Sequence, residues 1–300
     1  MEWVERLNQS IHYIEEHLTD EIDYAQLGRI ACCSTYHYQR MFTYLAGIPL
    51  AEYIRRRKMS LAAVDLRSGE ERILAVAEKY GYRSPTAFNR AFQAFHGIAP
   101  SSVRAEGAAI KSFSPIVFRI AIKGAAEMNY RIETREAFRI LGVSAPLDQE
   151  IEKNFMVVPA MWQEAAANGT MQKLAGMMDT PPMGLLGVSV CNEEEQWKYF
   201  VAVSSTKAGD GFEEYTVPAS TWAIFSGTGT NQSIQELERQ IITEWLPASG
   251  YEYANAPDIE VYQNPDPQNA QYEVWIPVVK KKASPPQAVT DEGETTQISD

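Results

Sequence analysis

The chain has 300 residues, 45% hydrophobic and 22% charged, a length that suits two domains of ordinary size. No window approaches 18 continuous apolar residues, which excludes a membrane-spanning helix, and the acidic, amphipathic start 1–6 lacks a signal-peptide layout. The net charge of −12 argues against a uniformly basic nucleic-acid binder, but it is unevenly spread: residues 1–106 hold 13 Lys+Arg and 13 Asp+Glu, whereas 107–300 hold 14 and 26. All four histidines (His12, His17, His37, His96) lie in the neutral part. Such a split points to two modules with different partners. The cysteines Cys32, Cys33 and Cys191 form no spaced pairs, which predicts a reducing, cytoplasmic setting and no zinc site.

In chain order, residues 3–18 carry Val4, Leu7, Ile11, Ile14 and Leu18 at close to a 3.6-residue period, so a helix is expected. Asp23 caps a short helix over 25–32. Ser34 caps the next, to about Ala46, where Gly47 ends it. Pro49 opens a long helix to about Arg67, stopped by Ser68-Gly69. A short helix follows over 72–80. Ser84-Pro85, an N-cap followed by proline at the first helical position, starts another that runs to Gly97. Residues 107–127 read as a connector, apolar around 116–122 and therefore partly packed on a domain.

Beyond 127 the pattern mixes strands with two long helices. Strand with a break over 130–146, helix over 151–168 and strands over 184–190 and 198–205 make one unit. A strand pair over 212–228, helix over 231–246 and strands over 258–262 and 272–279 make a second. Two β-α-β-β units are thus expected. Glu193-Glu194-Glu195 reads as a solvated loop. Residues 283–300, rich in Ser, Pro, Thr and Glu, read as a disordered tail.

A sharper repeat lies in the first part. Ser34-x3-Tyr38-x-Arg40-x-Phe42-x4-Gly47 recurs 50 residues later as Ser84-x3-Phe88-x-Arg90-x-Phe92-x4-Gly97. In each copy the serine caps a helix with an apolar stripe (Tyr38, Met41, Phe42, Leu45; Phe88, Ala91, Phe92, Phe95) and a polar opposite face. A short helix, a turn and a second helix with an exposed hydrogen-bonding face is the helix-turn-helix plan.

With His37-x-Gln39-Arg40-Met41-Phe42, Tyr53-Ile54-Arg55-x-Arg57-Lys58-Met59 and Ala87-Phe88-x-Arg90-Ala91-Phe92, residues 1–105 resemble the DNA-binding domain of the AraC/XylS regulators, in the Rob-type order with that domain first. Residues 128–282 resemble the GyrI-like effector domain, on Trp245-Leu246-Pro247-x-Ser249-Gly250-Tyr251, Glu260-x-Tyr262 and Glu273-x-Trp275-Ile276-Pro277-Val278. The resemblance implies an all-α N-terminal domain (1–106) with two helix-turn-helix units, a linker (107–127), and an α+β domain (128–282) whose duplicated β-α-β-β units surround a cleft.

Tyr36, Gln39 and Arg40 stand at i, i+3 and i+4 on one helix face, and Arg and Gln are the side chains that pair bidentately with guanine and adenine. The second unit offers Thr86, Asn89 and Arg90. Pro85 has no donor, so this unit is expected to read fewer bases. Arg55-Arg56-Arg57-Lys58 either touches phosphates or pairs with Glu52, Asp65 or Glu71. Cys32 replaces the turn glycine common in the family. For the effector, an acidic, aromatic-rich domain suits a cation. The resemblance places Glu273 in the cleft, with Trp275 two residues on. Trp222, Tyr262, Tyr199 and Phe155 are the candidate aromatic wall, each alternatively a core residue.

Nucleotide-binding and hydrolase motifs are absent, and the second domain holds no histidine. The expected protein is a monomeric or weakly dimeric transcription regulator with no cofactor. Its partners are promoter double-stranded DNA, a small-molecule effector and RNA polymerase. Two recognition helices would enter successive major grooves ~34 Å apart. The alternatives are a GyrI-like hydrolase fused to a DNA reader, or a protein-interaction module.

Overall fold

The computed structural model describes residues 2–281 except 70, 120–126, 149, 192–196, 210 and 267. The expected tail, the Glu193–Glu195 loop and part of the connector therefore lie outside the described residues. Six helices build the first part: α1 (Glu2–Glu16), α2 (Tyr24–Ala31), α3 (Thr35–Ala46), α4 (Leu50–Ser68), α5 (Ile73–Lys79) and α6 (Pro85–His96). Their ends follow the expected local chemistry. Asp23 accepts from the amides of Ala25 and Gln26, and Ser34 accepts from His37. Ser84 accepts from Ala87, and Gly47 and Gly97 close α3 and α6 in the left-handed region. The turn between α2 and α3 puts Cys32 at φ 56°, a conformation glycine adopts far more readily.

Two cores hold this part together. One joins α1, α2 and α3 around Leu7, Ile14, Leu27, Tyr38, Phe42 and Tyr53. The other joins α4, α5 and α6 around Met59, Leu66, Val76, Phe88 and Phe92. The long helix α4 contributes to both. Residues 108–119 strap across the outside. The amides of Phe113 and Phe118 donate to Ser60 Oγ and Asn8 Oδ1, and Phe113, Ile116 and Phe118 pack on the first core. The basic run on α4 is engaged within the helical part. Arg55 and Arg56 pair with Glu52, and Arg57 pairs with Glu15 and the Phe113 carbonyl. Lys58 reaches the Tyr80 carbonyl at 3.4 Å.

The second part is one curved antiparallel sheet with helices on one face. Its strands are β1 (Tyr130–Arg135), β2 (Phe138–Leu147), β3 (Leu185–Cys191), β4 (Trp197–Ser204), β5 (Glu213–Val217), β6 (Ser220–Gly229), β7 (Tyr251–Tyr253), β8 (Asp258–Asn264) and β9 (Ala270–Lys280). The order is β1-β6-β9-β8-β3-β4-β2-β5, with β7 pairing β9. This order is symmetric about the β8/β3 junction. Each repeat is β-β-α-β-β, and each lends its first strand to the other half: β1 pairs β6, and β5 pairs β2. The helices α7 (Asn154–Ala167) and α8 (Thr170–Met177) cover one half, and α9 (Asn231–Gln240), prolonged by a π-turn over Ile241–Trp245, covers the other. Helix α8 and strand β7 are additions to the expected plan. The opposite sheet face closes on itself, with the rings of Phe138 and Trp222 6.3 Å apart between centroids. Among the described residues no helix is long and apolar enough to cross a membrane.

Candidate functional site

The sheet leaves a gap between its two helical covers, over the β3/β8 junction. Residues on β8 alternate faces, so Asp258, Glu260 and Tyr262 point into this gap, joined by Ser189 and Gly187 of β3 and Tyr199 of β4. Tyr199 and Tyr262 donate their hydroxyls to Glu260 at 3.2 and 3.0 Å, and Trp162 of α7 donates to the Tyr199 oxygen at 2.9 Å. Gly187 makes the cluster possible. A Cβ there would overlap the Tyr199 hydroxyl and stand 2.8 Å from Glu260 Oε2. Glycine in a strand interior marks such a close approach. Burial pushes the Glu260 carboxyl up to about 7, aided by the negative charge of Glu238 on α9.

The gap is filled by α3, the second helix of the first helix-turn-helix unit. This helix touches both residues 151–153 and the π-turn. Its polar face meets the carboxylates. Arg40 pairs with Glu238 and, at 2.7 Å, with Asp258, and its side chain is only 12% exposed. His37 sits 3.2 Å from Asp258 and stacks on Tyr253 at 4.2 Å between ring centroids. Tyr36 donates to Ser189 Oγ at 3.0 Å and packs edge-on against Trp197. Tyr44 donates to Glu238 at 2.8 Å. Gln39 is fully buried. Burial raises the Asp258 pKa, but His37 and Arg40 more than offset it and hold it below the ordinary carboxylate value. Trp197 Nε1 and Tyr253 Oη are buried in this contact without a hydrogen-bond partner among the described residues. Outside the gap, Arg6 pairs with Glu252 at 3.0 Å, and Ile242 of the π-turn joins the first helical core.

The second unit is the reverse. Thr86, Asn89 and Arg90 are all exposed on α6, beside exposed Pro85. The six side chains expected to meet DNA therefore divide into a covered set (Tyr36, Gln39, Arg40) and an open one. In this structure the side chains of the first unit are engaged by the sheet and those of the second face outward.

The effector candidates also divide. Tyr199 and Tyr262 belong to the gap. Glu273 and Trp275 do not: Glu273 pairs in register with Val261, the neighbour of Glu260, and so projects from the other face. There Arg131 pairs with Glu273 at 2.9 Å, and Trp275 donates to Glu273 at 2.8 Å. Trp222, fully buried, lies on that same face, 6.0 Å from the Trp275 ring. Strand parity puts Glu273, which was expected in the cleft, on the face opposite the gap and puts Glu260 in the gap. The Phe155 side chain lies outside the described residues. The sequence signal was present, because Glu260-x-Tyr262 has the same two-residue spacing as Glu273-x-Trp275.

Comparison with known proteins gives two family matches: a GyrI-like small molecule binding domain over residues 128–279, and a helix-turn-helix domain over 27–106. The HTH-type transcriptional activator AarP of Providencia stuartii is 33% identical over 33% of this chain and 73% of its own length. The multiple antibiotic resistance protein MarA of Escherichia coli is 32% identical over 33% and 77%. Among solved structures, SAV2435 bound to tetraphenylphosphonium is 18% identical, covers 51% of this chain and 94% of its own, and has a TM-score of 0.45. The chain belongs to the family of GyrI-like small molecule binding domains, carried behind an AraC-type helix-turn-helix domain as a DNA-binding transcription regulator.

Proposed function

We propose that this regulator takes a small apolar cation in the gap floored by Asp258 and Glu260, and that Tyr36, Gln39, Arg40, Thr86, Asn89 and Arg90 are its base-reading side chains. The observation that carries the ligand reading is the set of carboxylates, buried Glu238 and Asp258 and half-buried Glu260, ringed by tyrosines, a surrounding that favours a desolvated cation by charge and by ring faces. Arg40 already supplies one cation to it. The DNA reading rests on the helix-turn-helix geometry of α2–α3 and α5–α6 and on the exposed polar face of α6. The protein works as a monomer or weak dimer in the cytoplasm, contacts RNA polymerase and performs no catalysis.

Titration with tetraphenylphosphonium, followed by tryptophan fluorescence, tests the ligand reading. Glu260→Gln is expected to lose most of the affinity and Glu273→Gln to keep it; the opposite order refutes the assignment. Arg90→Ala is expected to weaken promoter binding in a gel shift, and unchanged binding removes α6 from the interface. One observation favours a second reading. A carboxyl raised to about 7 is poised to act as a general base or acid, as a small-molecule hydrolase would need. Turnover of activated esters that disappears in Glu260→Gln would support it.

A further inference from the structure

We infer that the ligand domain holds the first recognition helix as a tethered occupant of its own effector gap, so that an entering cation and promoter DNA act together to release α3. The inference rests on the proposed cation reading for its effector arm, but its latch arm stands on contacts alone.

Three observations support it. The side chains that make α3 a reading helix are the ones consumed by the contact: Tyr36 on Ser189 and Trp197, Arg40 on Glu238 and Asp258, with Gln39 buried. A helix cannot sit in the major groove while its base-facing side chains are held by a sheet. The contact is also cation recognition in itself. The guanidinium of Arg40 lies between two buried carboxylates and 6.0 Å from the Tyr44 ring centroid, which is the chemistry an apolar cation would exploit. Glu260 lies within electrostatic reach of both Arg40 and Glu238, so a cation beside Glu260 meets Arg40 as a like charge. Finally, the contact is imperfectly satisfied. Trp197 Nε1 and Tyr253 Oη, on the rings that Tyr36 and His37 pack against, are buried without a hydrogen-bond partner among the described residues. A groove of about 780 Å³ lined by Tyr44, Leu237, Gln240 and Tyr272 opens alongside the Tyr44–Glu238 bond and gives solvent a route to its edge.

The second unit remains exposed in the docked state. A docked molecule would therefore hold DNA through α6 alone, and release would add a second major-groove contact about 10 base pairs away. Coupling of this kind is reciprocal: whatever factor the cation gains for DNA, DNA gains for the cation.

The test uses the full chain and promoter DNA in fluorescence anisotropy and footprinting. Asp258→Asn removes a carboxylate from the latch and leaves every α3 side chain intact. It is expected to bind DNA on the order of tenfold more tightly than the wild type without effector, with protection already spanning two grooves. Equal affinity and an unchanged footprint overturn the latch. If Asp258→Asn does not fold, as judged by circular dichroism, Glu238→Gln carries the same test. The reciprocal arm measures tetraphenylphosphonium binding to Arg40→Gln without DNA. Loss of the tethered competitor is expected to tighten binding on the order of tenfold. Equal affinity in wild type and variant overturns the competition, whereas no binding to either refutes the cation reading and leaves the Asp258→Asn result to decide the latch.

Discussion

Removing the ionisable group of Glu260 should abolish the pH dependence of cation binding. Its carboxyl is pushed up to about 7 by burial first and then by the negative charge of Glu238, although Arg40 and the Tyr262 hydroxyl pull the other way. A bound cation favours the ionised form, so binding expels the proton. If only ionised Glu260 binds, the apparent dissociation constant scales as one plus ten raised to the power of 7 minus the pH. That factor is about 1.1 at pH 8 and about 11 at pH 6, which is about tenfold weaker binding over two pH units. Isothermal titration with tetraphenylphosphonium in buffers of different ionisation enthalpy should also read nearly one proton released at pH 6 and about a tenth of one at pH 8. Glu260→Gln isolates this carboxyl from every other ionising group. Affinity that is flat from pH 6 to 8, or an equal slope in Glu260→Gln, refutes the reasoning.

The same raised value has a consequence for folding. Protonated Glu260 favours the folded state, so its contribution is full below the unfolded value near 4.5 and is lost as the pH rises through about 7; denaturant midpoints should fall between pH 5 and 8 in the wild type and less in Glu260→Gln. Cys32→Gly should stabilise the chain by about 1 kcal/mol, because a left-handed residue with a side chain is replaced by one without, and an unchanged midpoint would show that Cys32 is not strained. Gly187→Ala should push Tyr199 off Glu260 and weaken cation binding by roughly tenfold, or ~1.4 kcal/mol; retained affinity would show that the tyrosine–carboxyl contact is dispensable. Arg57→Ala should cost about 3 kcal/mol by stranding the largely buried Glu15 and freeing the Phe113 strap, measurable as a shift in chemical denaturation.

The helical part was readable because its signals are local. Asp23, Ser34 and Ser84 cap where their short polar side chains predict, and Gly47 and Gly97 stop α3 and α6. The apolar stripes Tyr38–Phe42 and Phe88–Phe92 fall in the two cores. The sheet was harder. Strands β8 and β9 carry buried residues on both faces, so alternation alone does not say which face the helices cover. Glu260 and Glu273 were therefore indistinguishable by spacing, and one step of parity separates them. The docking of α3 was illegible for a different reason. A polar helix face that meets water and one that meets buried carboxylates have the same sequence pattern, and Arg40 lies 218 residues from Asp258. Nothing local to either marks the other.

The exchanged first strands of the ligand domain bear on its ancestry and its engineering. Because β1 completes the half that contains β6, and β5 completes the half that contains β2, neither repeat owns a finished sheet edge. A single repeat expressed alone would present β2 without its outer neighbour and carry a strand with nothing to pair. Two such repeats satisfy each other by trading strands, as in a domain-swapped dimer. The domain is in effect that dimer written into one chain, and its axis passes through the junction where α3 lies. A split of the gene between residues 204 and 213 should therefore yield fragments that reassemble as a pair.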